Sequence, residues 1–200
     1  MKRDIILSGV GGQGILSIAA IIGEAALRKD LYVKQAEVHG MSQRGGDVQS
    51  NLRLSSEPIH SDLIPRGGTD AIIAMEPMEA LRYLPYLSPE GWIVTNSATF
   101  VNIPNYPDEE QLLGALRARS RVILVDADTL AKDNGMPRAV NMVLLGAASA
   151  ILGLDADLLE EAVAGLFASK GTDVVDMNVR AFRLGREAGT QQVKNSGHAE

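Results

Sequence analysis

The residues most able to bind a phosphate are the glycines of the stretch GVGGQG at residues 9–14, which contains the pattern G-x-G-x-x-G. Glycine permits a tight turn and lets backbone N–H groups approach a phosphate at the N-terminus of the following helix, where the helix dipole favours an anion. The alternative is a tight strand-to-helix turn that binds no ligand. Because an apolar run precedes the glycines and helical periodicity follows them, the pattern favours a phosphate or nucleotide site.

A second polar loop, EVHGMSQRGG at residues 37–46, follows the next predicted strand. In a doubly wound sheet this loop leaves the carboxyl end of a strand beside the first glycine turn, which is where such sheets bind ligands. Arg44 could present its guanidinium to a phosphate or carboxylate, and His39 could act as an acid, a base or a hydrogen-bond donor. The structural alternatives are that Arg44 binds carbonyl groups of its own loop and that His39 caps an element.

Four further carboxylates follow predicted strands, namely Glu76, Glu79, Asp126 and Asp128. They could reach a ligand, but helix capping and favourable charge at a helix N-terminus are the more common roles for acids at such positions. Glu37 is poorly placed as the acid that would bind the ribose of NAD, so NAD binding is not favoured. No Ser-His-Asp order and no metal-ligand spacing stands out in the sequence, and we expect no catalytic residue on this chain.

Strands that alternate with helices must position these residues. Apolar runs predict strands at residues 4–8, 31–36, 48–54, 70–74, 92–95 and 122–125, and helical spacing predicts helices at 15–28, 77–87, 108–119, 139–152, 155–168 and 173–186. This alternation predicts an α/β fold, a three-layer, Rossmann-like, doubly wound and mostly parallel sheet with C-terminal helices. Residues 48–54 alternate apolar and polar, so that strand should lie near an edge or pair antiparallel.

Composition narrows the class of protein. The chain has 200 residues, a net charge of −6, three histidines and no cysteine. The charge argues against a nucleic-acid-binding domain, and the missing cysteine excludes disulfides, a thiol nucleophile and iron–sulfur clusters ligated by this chain's own thiolates. The longest apolar stretch, residues 142–154, is too short to span a bilayer, and no signal-peptide pattern is visible, so we expect a cytoplasmic protein. We expect one α/β domain over residues 1–188 and a mobile tail over residues 189–200, which lack periodicity.

The chain resembles the gamma-type subunits of the 2-oxoacid:ferredoxin oxidoreductases, and most closely those of the indolepyruvate branch. The resemblance covers nearly the whole chain before residue 189. The stretches that carry it are GVGGQGILSIAAIIGEAAL at residues 9–27, EVHGMSQRGGDVQSNLRLS at 37–55, LIPRGGTDAIIAMEPMEALRYLPYL at 63–87, YPDEEQLLGAL at 106–116 and NGMPRAVNMVLLGAAS at 134–149. HGMSQRGG following GGQG is the specific part of this resemblance.

The resemblance implies oxidative decarboxylation of a 2-oxoacid to an acyl-CoA, with electrons delivered to ferredoxin and no activity of this chain alone. In this family thiamine diphosphate, Mg and the iron–sulfur clusters belong to a larger partner subunit. The gamma-type unit packs against that partner and is implicated in holding coenzyme A and closing the active site. Carried over to this chain, the family's first loop comprises Gly9, Gly11, Gly12, Gln13 and Gly14, and its second loop comprises His39, Gly40, Gln43, Arg44, Gly45 and Gly46.

Two other functions compete with this one. The same glycine turn could serve an NAD(P)-binding oxidoreductase that acts without a partner, or a non-catalytic module that senses a nucleotide. The resemblance is preferred because it alone explains both loops. It also implies that ferredoxin is reached through the complex, and a homodimer of this chain within a hetero-oligomer is a reasonable expectation. The missing cysteine then assigns every electron-carrying centre to another chain.

Overall fold

The computed structural model describes residues 1–39 and 46–196. The strands are β1 (Lys2–Val10), β2 (Tyr32–His39), β3 (Asp47–Ser55), β4 (Thr69–Ala74), β5 (Leu87–Asn96) and β6 (Val122–Val125). The helices are α1 (Ile15–Leu27), α2 (Pro77–Arg82), α3 (Glu109–Arg117), α4 (Ala127–Asp133), α5 (Val140–Leu152), α6 (Ala156–Phe167) and α7 (Thr172–Ser196), with short 3₁₀ turns at Leu84–Tyr86 and Ala168–Lys170. Within this part of the chain no helix is long and apolar enough to cross a bilayer.

The strands form one mixed sheet in the order β2-β3-β1-β4-β5-β6. β1, β4, β5 and β6 pair in parallel, whereas β3 pairs antiparallel with both of its neighbours. The predictions of a mostly parallel sheet and of an antiparallel strand near an edge are therefore confirmed. The chain leaves β1 toward β2 on one side and returns to β4 on the other, so the strand order reverses between β1 and β4. In open α/β sheets ligands bind outside the carboxyl ends of the strands at such a switch point.

Helices cover both faces of the sheet, as the three-layer prediction requires. Along β1 and β4 the side chains alternate between the two faces: Ile5, Leu7 and Ile73 join the larger core, and Ile6 and Ile72 join the smaller one. The larger core contains the buried sides of α1, α5 and α6, and the smaller core contains residues of α2 and α3. Strands that are buried on both faces explain why most of them appear as continuous apolar runs in the sequence.

The last helix corrects one prediction. We expected residues from 189 onward to lack regular structure, but α7 continues to Ser196. A Cβ atom built on Gly185 or Gly189 would approach backbone atoms of α5 to less than 3.0 Å, so glycine lets the two helices pack backbone to backbone. Gln192 then uses its carboxamide to bind both the N–H and the C=O of Leu124 on the edge strand β6, at 2.9 and 2.8 Å. Glycine and glutamine give no apolar periodicity, so the sequence did not indicate that the helix continues here. Residues 197–200 lie outside the described part of the chain.

Helix α2, strand β5 and helix α4 also differ from the prediction. The helix expected over residues 77–87 ends at Arg82, because Pro85 cannot continue the hydrogen-bonding pattern of a helix, and β5 already begins at Leu87. Helix α4 was not predicted and begins after Asp126, which caps it. By contrast, the predicted cap at Asp108 is confirmed, since its side chain accepts from the N–H of Gln111 at 3.1 Å.

Candidate functional site

The glycine turn that follows β1 is held by its own glutamine. The N–H of Gln13 donates to the carbonyl oxygen of Val10 at 3.1 Å, and the side-chain Oε1 of Gln13 accepts from the N–H of Val10 at 2.7 Å. Gly12 and Gly14 have φ values of +102° and +82°, which only glycine adopts without strain. The turn is therefore preformed, and the Gln13 carboxamide oxygen holds it rather than pointing to a ligand.

The N-terminus of α1 opens directly from this turn. Gly14 is its N-cap residue and supplies no side-chain hydrogen bond, and the first turn carries no acidic residue. The first N–H groups of a helix have no intrahelical partner, and the helix dipole places a partial positive charge beside them. A Cβ atom on Gly12 would meet no atom within 4 Å, so the space over the turn is open. This arrangement suits an anion held by backbone groups.

A cavity of about 410 Å³ lies over the turn. It is lined by residues 10–16 together with Glu37 from the end of β2 and Val48 from β3. The glycine turn and Glu37 thus meet in one space, although β3 separates their strands in the sheet. Its chemistry is mixed, because the turn favours an anion whereas the Glu37 carboxylate repels one and accepts hydrogen bonds from hydroxyl or amino groups.

The two loops singled out in the sequence meet at Gly46. The N–H of Gly11 donates to the carbonyl oxygen of Gly46 at 2.9 Å, which places the end of the second loop against the glycine turn as expected. The backbone of His39 ends β2 opposite Val48. The other second-loop residues expected at the site, Gly40, Gln43, Arg44 and Gly45, lie outside the described residues.

Asn141 also contacts the turn, and the sequence did not indicate it. It lies in the first turn of α5, and its Nδ2 donates to the carbonyl oxygen of Gly14 at 3.3 Å. A Cβ atom on Gly14 would come within 2.5 Å of the same nitrogen, so glycine is needed there for this contact as well as for its φ angle. No local pattern could have shown the contact, because 127 residues separate the two partners.

Glu76 follows β4 on the other side of the switch point and is fully buried. Its Oε2 accepts from the N–H of Glu79 at 2.9 Å, and the hydroxyl of Tyr106 donates to its Oε1. Burial raises the pKa of this carboxyl to about 7, although backbone N–H donors, including that of Phe100, act in the opposite direction. A carboxyl group that titrates near neutral pH at a ligand crevice is typical of functional sites. Met75, its neighbour in sequence, packs beside Gly9 of the glycine turn.

The other carboxylates have structural roles. Glu79 is buried, which raises the pKa of its carboxyl, and it forms a two-bond ion pair with Arg82 at 2.9 and 3.1 Å that opposes this rise. Asp126 caps α4 by accepting from the N–H of Thr129. Asp128 accepts from the side chain of Asn96 at 2.6 Å. Within the described residues, no group of three or more histidine or carboxylate side chains is arranged to hold a metal ion.

Comparisons with known proteins agree with this architecture. Residues 4–188 match the family described as pyruvate ferredoxin/flavodoxin oxidoreductase. The chain is 36% identical over 192 residues to the indolepyruvate oxidoreductase subunit IorB of Methanothermobacter thermautotrophicus, covering 92% of this chain and 96% of that protein. The keto/oxoacid ferredoxin oxidoreductase gamma subunit of Geobacter sulfurreducens is similar in structure with a TM-score of 0.68 at 25% identity, covering 94% of this chain and 99% of that one.

A longer protein shares the same fold. The 2-oxoglutarate:ferredoxin oxidoreductase from Magnetococcus marinus, solved with 2-oxoglutarate, coenzyme A and succinyl-CoA bound, is similar in structure with a TM-score of 0.74 at 23% identity. The similarity covers 95% of this chain and 31% of that one, so the chain spans about a third of its length. At this identity the likeness establishes the fold.

Proposed function

Because the chain belongs to the pyruvate ferredoxin/flavodoxin oxidoreductase family, we propose that it is the small subunit of a 2-oxoacid:ferredoxin oxidoreductase of the indolepyruvate type. The complex converts the 2-oxoacid to an acyl-CoA and carbon dioxide and passes the electrons to ferredoxin. The curated relative that matches over nearly its whole length is named as an indolepyruvate oxidoreductase subunit, which supports this substrate class. A cytoplasmic location and a homodimer within the complex remain predictions from the sequence.

Within the complex, this chain holds coenzyme A at the glycine turn. The observation that carries this proposal is the combination of a preformed turn, an uncapped α1 N-terminus and open space over Gly12. These features fit a diphosphate, whose charge the backbone N–H groups and the helix dipole stabilise. The solved relative with coenzyme A bound shares the fold and thereby supports the choice of ligand. Arg44, which the sequence places beside this turn, supplies a bidentate donor to the same anion.

Glu37 restricts how the ligand lies in the cavity. Its carboxylate would repel a phosphate placed against it, so the diphosphate lies over Gly11 and Gly12, at the positive end of α1. A hydroxyl or amino group of the same ligand then donates to Glu37. Coenzyme A carries both kinds of group, and so does NADH, which is why NADH belongs in the test as a competing ligand.

The redox centres belong to a larger partner subunit. Since the chain has no cysteine, it cannot ligate an iron–sulfur cluster through thiolates. Thiamine diphosphate, which supplies the carbanion chemistry of decarboxylation when bound, and its Mg ion are assigned to the same partner. This chain's own residues bind and orient coenzyme A and exclude water from one side of the site. Leu16 lines the cavity, is about half exposed and offers apolar contact area to that partner.

The test compares two aspartate substitutions in the reconstituted complex. Gly12→Asp places a carboxylate over the turn. Gly67→Asp places the same side chain at another positive-φ glycine with open space around it, just before β4 and so at the amino ends of the parallel strands. Both positions have a positive φ, +102° at Gly12 and +70° at Gly67, so both changes strain the backbone, and the strain is greater at Gly12. We expect Gly12→Asp to raise the KM for coenzyme A at least tenfold in dye reduction with indolepyruvate, and Gly67→Asp to leave it within twofold of the wild type.

A second matched pair tests the sequence-based part of the site. The tripeptide Arg-Gly-Gly occurs at residues 44–46 and again at residues 66–68, so Arg66→Ala controls for Arg44→Ala. Loss of a charge-assisted bidentate contact costs about 1.5–3 kcal/mol, or roughly 10–100-fold in affinity. If Gly12→Asp and Arg44→Ala both bind coenzyme A as the wild type does, the assignment is wrong. Tight NADH binding by the chain without its partner would favour the NAD(P)-binding alternative.

A further inference from the structure

Residues 97–107, between β5 and α3, form neither helix nor strand and lie at the carboxyl edge of the sheet. We call this segment the β5–α3 strap. It leaves β5 with the N–H of Ser97 bound to Val125 and ends at the α3 cap, Asp108. None of its residues is buried, and Phe100 and Val101 expose 46% and 71% of their area. Apolar burial therefore does little to hold the strap in place.

The carboxyl group of Glu76 anchors the strap at two of its residues. The hydroxyl of Tyr106 and the backbone N–H of Phe100 both donate to Glu76, which is itself fully buried. Glu76 follows β4, and its neighbour Met75 contacts the glycine turn after β1, so the anchor lies at the switch point. The strap thus covers a carboxyl group in the crevice where ligands of this fold bind.

We propose that the β5–α3 strap opens and closes over the switch point, and that opening exposes Glu76 and releases its proton. The closed strap excludes water from the carboxyl group and so favours its neutral form, and the open strap leaves a hydrated carboxylate facing the crevice. The device is built into the fold and does not rest on the proposed function, because it concerns the access of solvent and anions to the crevice, whichever ligand binds there.

The direction of the pH dependence follows from linkage. In the closed state burial raises the pKa of Glu76 from its ordinary 4.5 to about 7, whereas hydration in the open state returns it toward the ordinary value. The closed state thus binds the proton more tightly, so closure is favoured at low pH and is lost as the pH rises through 7. With these two values, the ratio of open to closed molecules rises roughly thirtyfold between pH 5.5 and pH 8.5.

The charged groups around Glu76 agree with this direction. Glu79 on α2 adds a repulsion that raises the pKa of Glu76 further, and its own charge is paired with Arg82. From the strap, Tyr106 presents a neutral hydroxyl. On α4, Asp128 accepts a hydrogen bond from the side chain of Asn96, and the Nδ2 of Asn96 also donates to the carbonyl oxygen of Met75 at 3.5 Å.

Hydrogen exchange of the full-length chain tests the proposal. Protection of peptides that cover residues 97–107 is measured from pH 5.5 to 8.5, corrected for the intrinsic pH dependence of exchange and referenced to the buried helix α5. We expect strap protection to fall by about thirtyfold across this range, with most of the fall below pH 7 and a levelling off above it. Glu76→Gln removes the titrating proton and should give a flat profile. Tyr106→Phe retains the carboxyl group, so its strap should be less protected at every pH but should keep the pH dependence.

A measurement on the wild type keeps the test independent of whether Glu76→Gln folds. The side-chain carboxyl carbon of Glu76, followed by NMR, should titrate near pH 7. Titration near 4.5 would overturn the proposal, as would a flat wild-type exchange profile. An unchanged pH dependence in Glu76→Gln would also overturn it, and a loss of that dependence in Glu79→Gln instead would assign the proton to the neighbouring carboxyl.

Discussion

Replacing Gly185 with alanine should destabilise the protein although alanine is the better helix former. Gly185 lies in α7, and a Cβ atom there would come within 3.0 Å of three backbone atoms of Val143 in α5. Backbone cannot move aside as the end of a flexible side chain can, so the two helices must separate. Inserting a methyl group into such a contact costs about 1–3 kcal/mol, and the separation also loosens the neighbouring contact at Gly189.

The matched control is Gly114→Ala in α3. Gly114 is interior to its helix and exposed, and a Cβ atom there would meet nothing within 4 Å. This substitution should therefore show the intrinsic preference alone, a gain of about 0.8–1 kcal/mol. After subtraction of the same gain at Gly185, we expect a net loss of up to about 2 kcal/mol there. The two variants should then differ by about 1–3 kcal/mol, which is the cost of inserting the methyl group.

Urea unfolding followed by circular dichroism measures the difference. With an unchanged dependence on urea concentration, the midpoint should fall for Gly185→Ala and rise for Gly114→Ala. In a chain of this size, 1 kcal/mol corresponds to about 2–4 °C in Tm. If both alanine variants are equally stabilised, α5 and α7 are not in backbone contact at Gly185, and the proposed close packing of these two helices is refuted.

Three further predictions concern polar contacts. Gln192→Leu leaves the N–H and C=O of Leu124 without their side-chain partner. This should lower the free energy of unfolding in urea by about 1–3 kcal/mol and speed hydrogen exchange at Leu124. Stability and exchange equal to those of the wild type would show that the contact does not form. Asn141→Ala removes the bond to Gly14 and should weaken coenzyme A binding by the complex severalfold while kcat is retained. A severalfold fall in kcat with an unchanged KM for coenzyme A would show that Asn141 does not position the glycine turn for binding. Burial raises the pKa of Glu76 to about 7, against 4.5 in the unfolded chain, so the folded protein binds this proton more tightly. The stability that the bound proton contributes is present below pH 4.5 and is lost as the pH rises through 7, by about 2–3 kcal/mol. Glu76→Gln should flatten this loss in unfolding curves measured between pH 5 and 8.

Local chemistry made much of the fold predictable. Apolar runs and one stretch that alternates apolar and polar residues identified the strands, and the glycine pattern located the turn before α1, because these signals depend on neighbours in the sequence. The same holds for Asp108, whose side chain caps a helix that begins one residue later. The sequence also predicted that the second loop lies beside the glycine turn, and the hydrogen bond between Gly11 and Gly46 agrees with this position.

The remaining features depend on partners far apart in the chain. Tyr106 reaches Glu76 across 30 residues, and Asn141 reaches Gly14 across 127. No pattern of burial or spacing distinguishes a tyrosine that will anchor a loop from one on the surface. The length of α7 was missed for a related reason. It is extended by Gly189 and Gln192, residue types that lower the apparent helical periodicity yet fit the backbone of α5 and the edge of β6.

Direct contact between this chain and coenzyme A at the glycine turn can be measured in the assembled complex. Hydrogen exchange of the intact complex, measured with and without coenzyme A, tests this contact directly. We expect the ligand to protect the backbone N–H groups at residue 12 and residues 14–16 of this chain, and to leave residues 66–68 unchanged. The N–H groups of Gly11 and Gln13 are already bonded to Gly46 and Val10 and should change less. Protection confined to the partner subunit, with no change at residues 12 and 14–16, would show that the glycine turn does not hold coenzyme A.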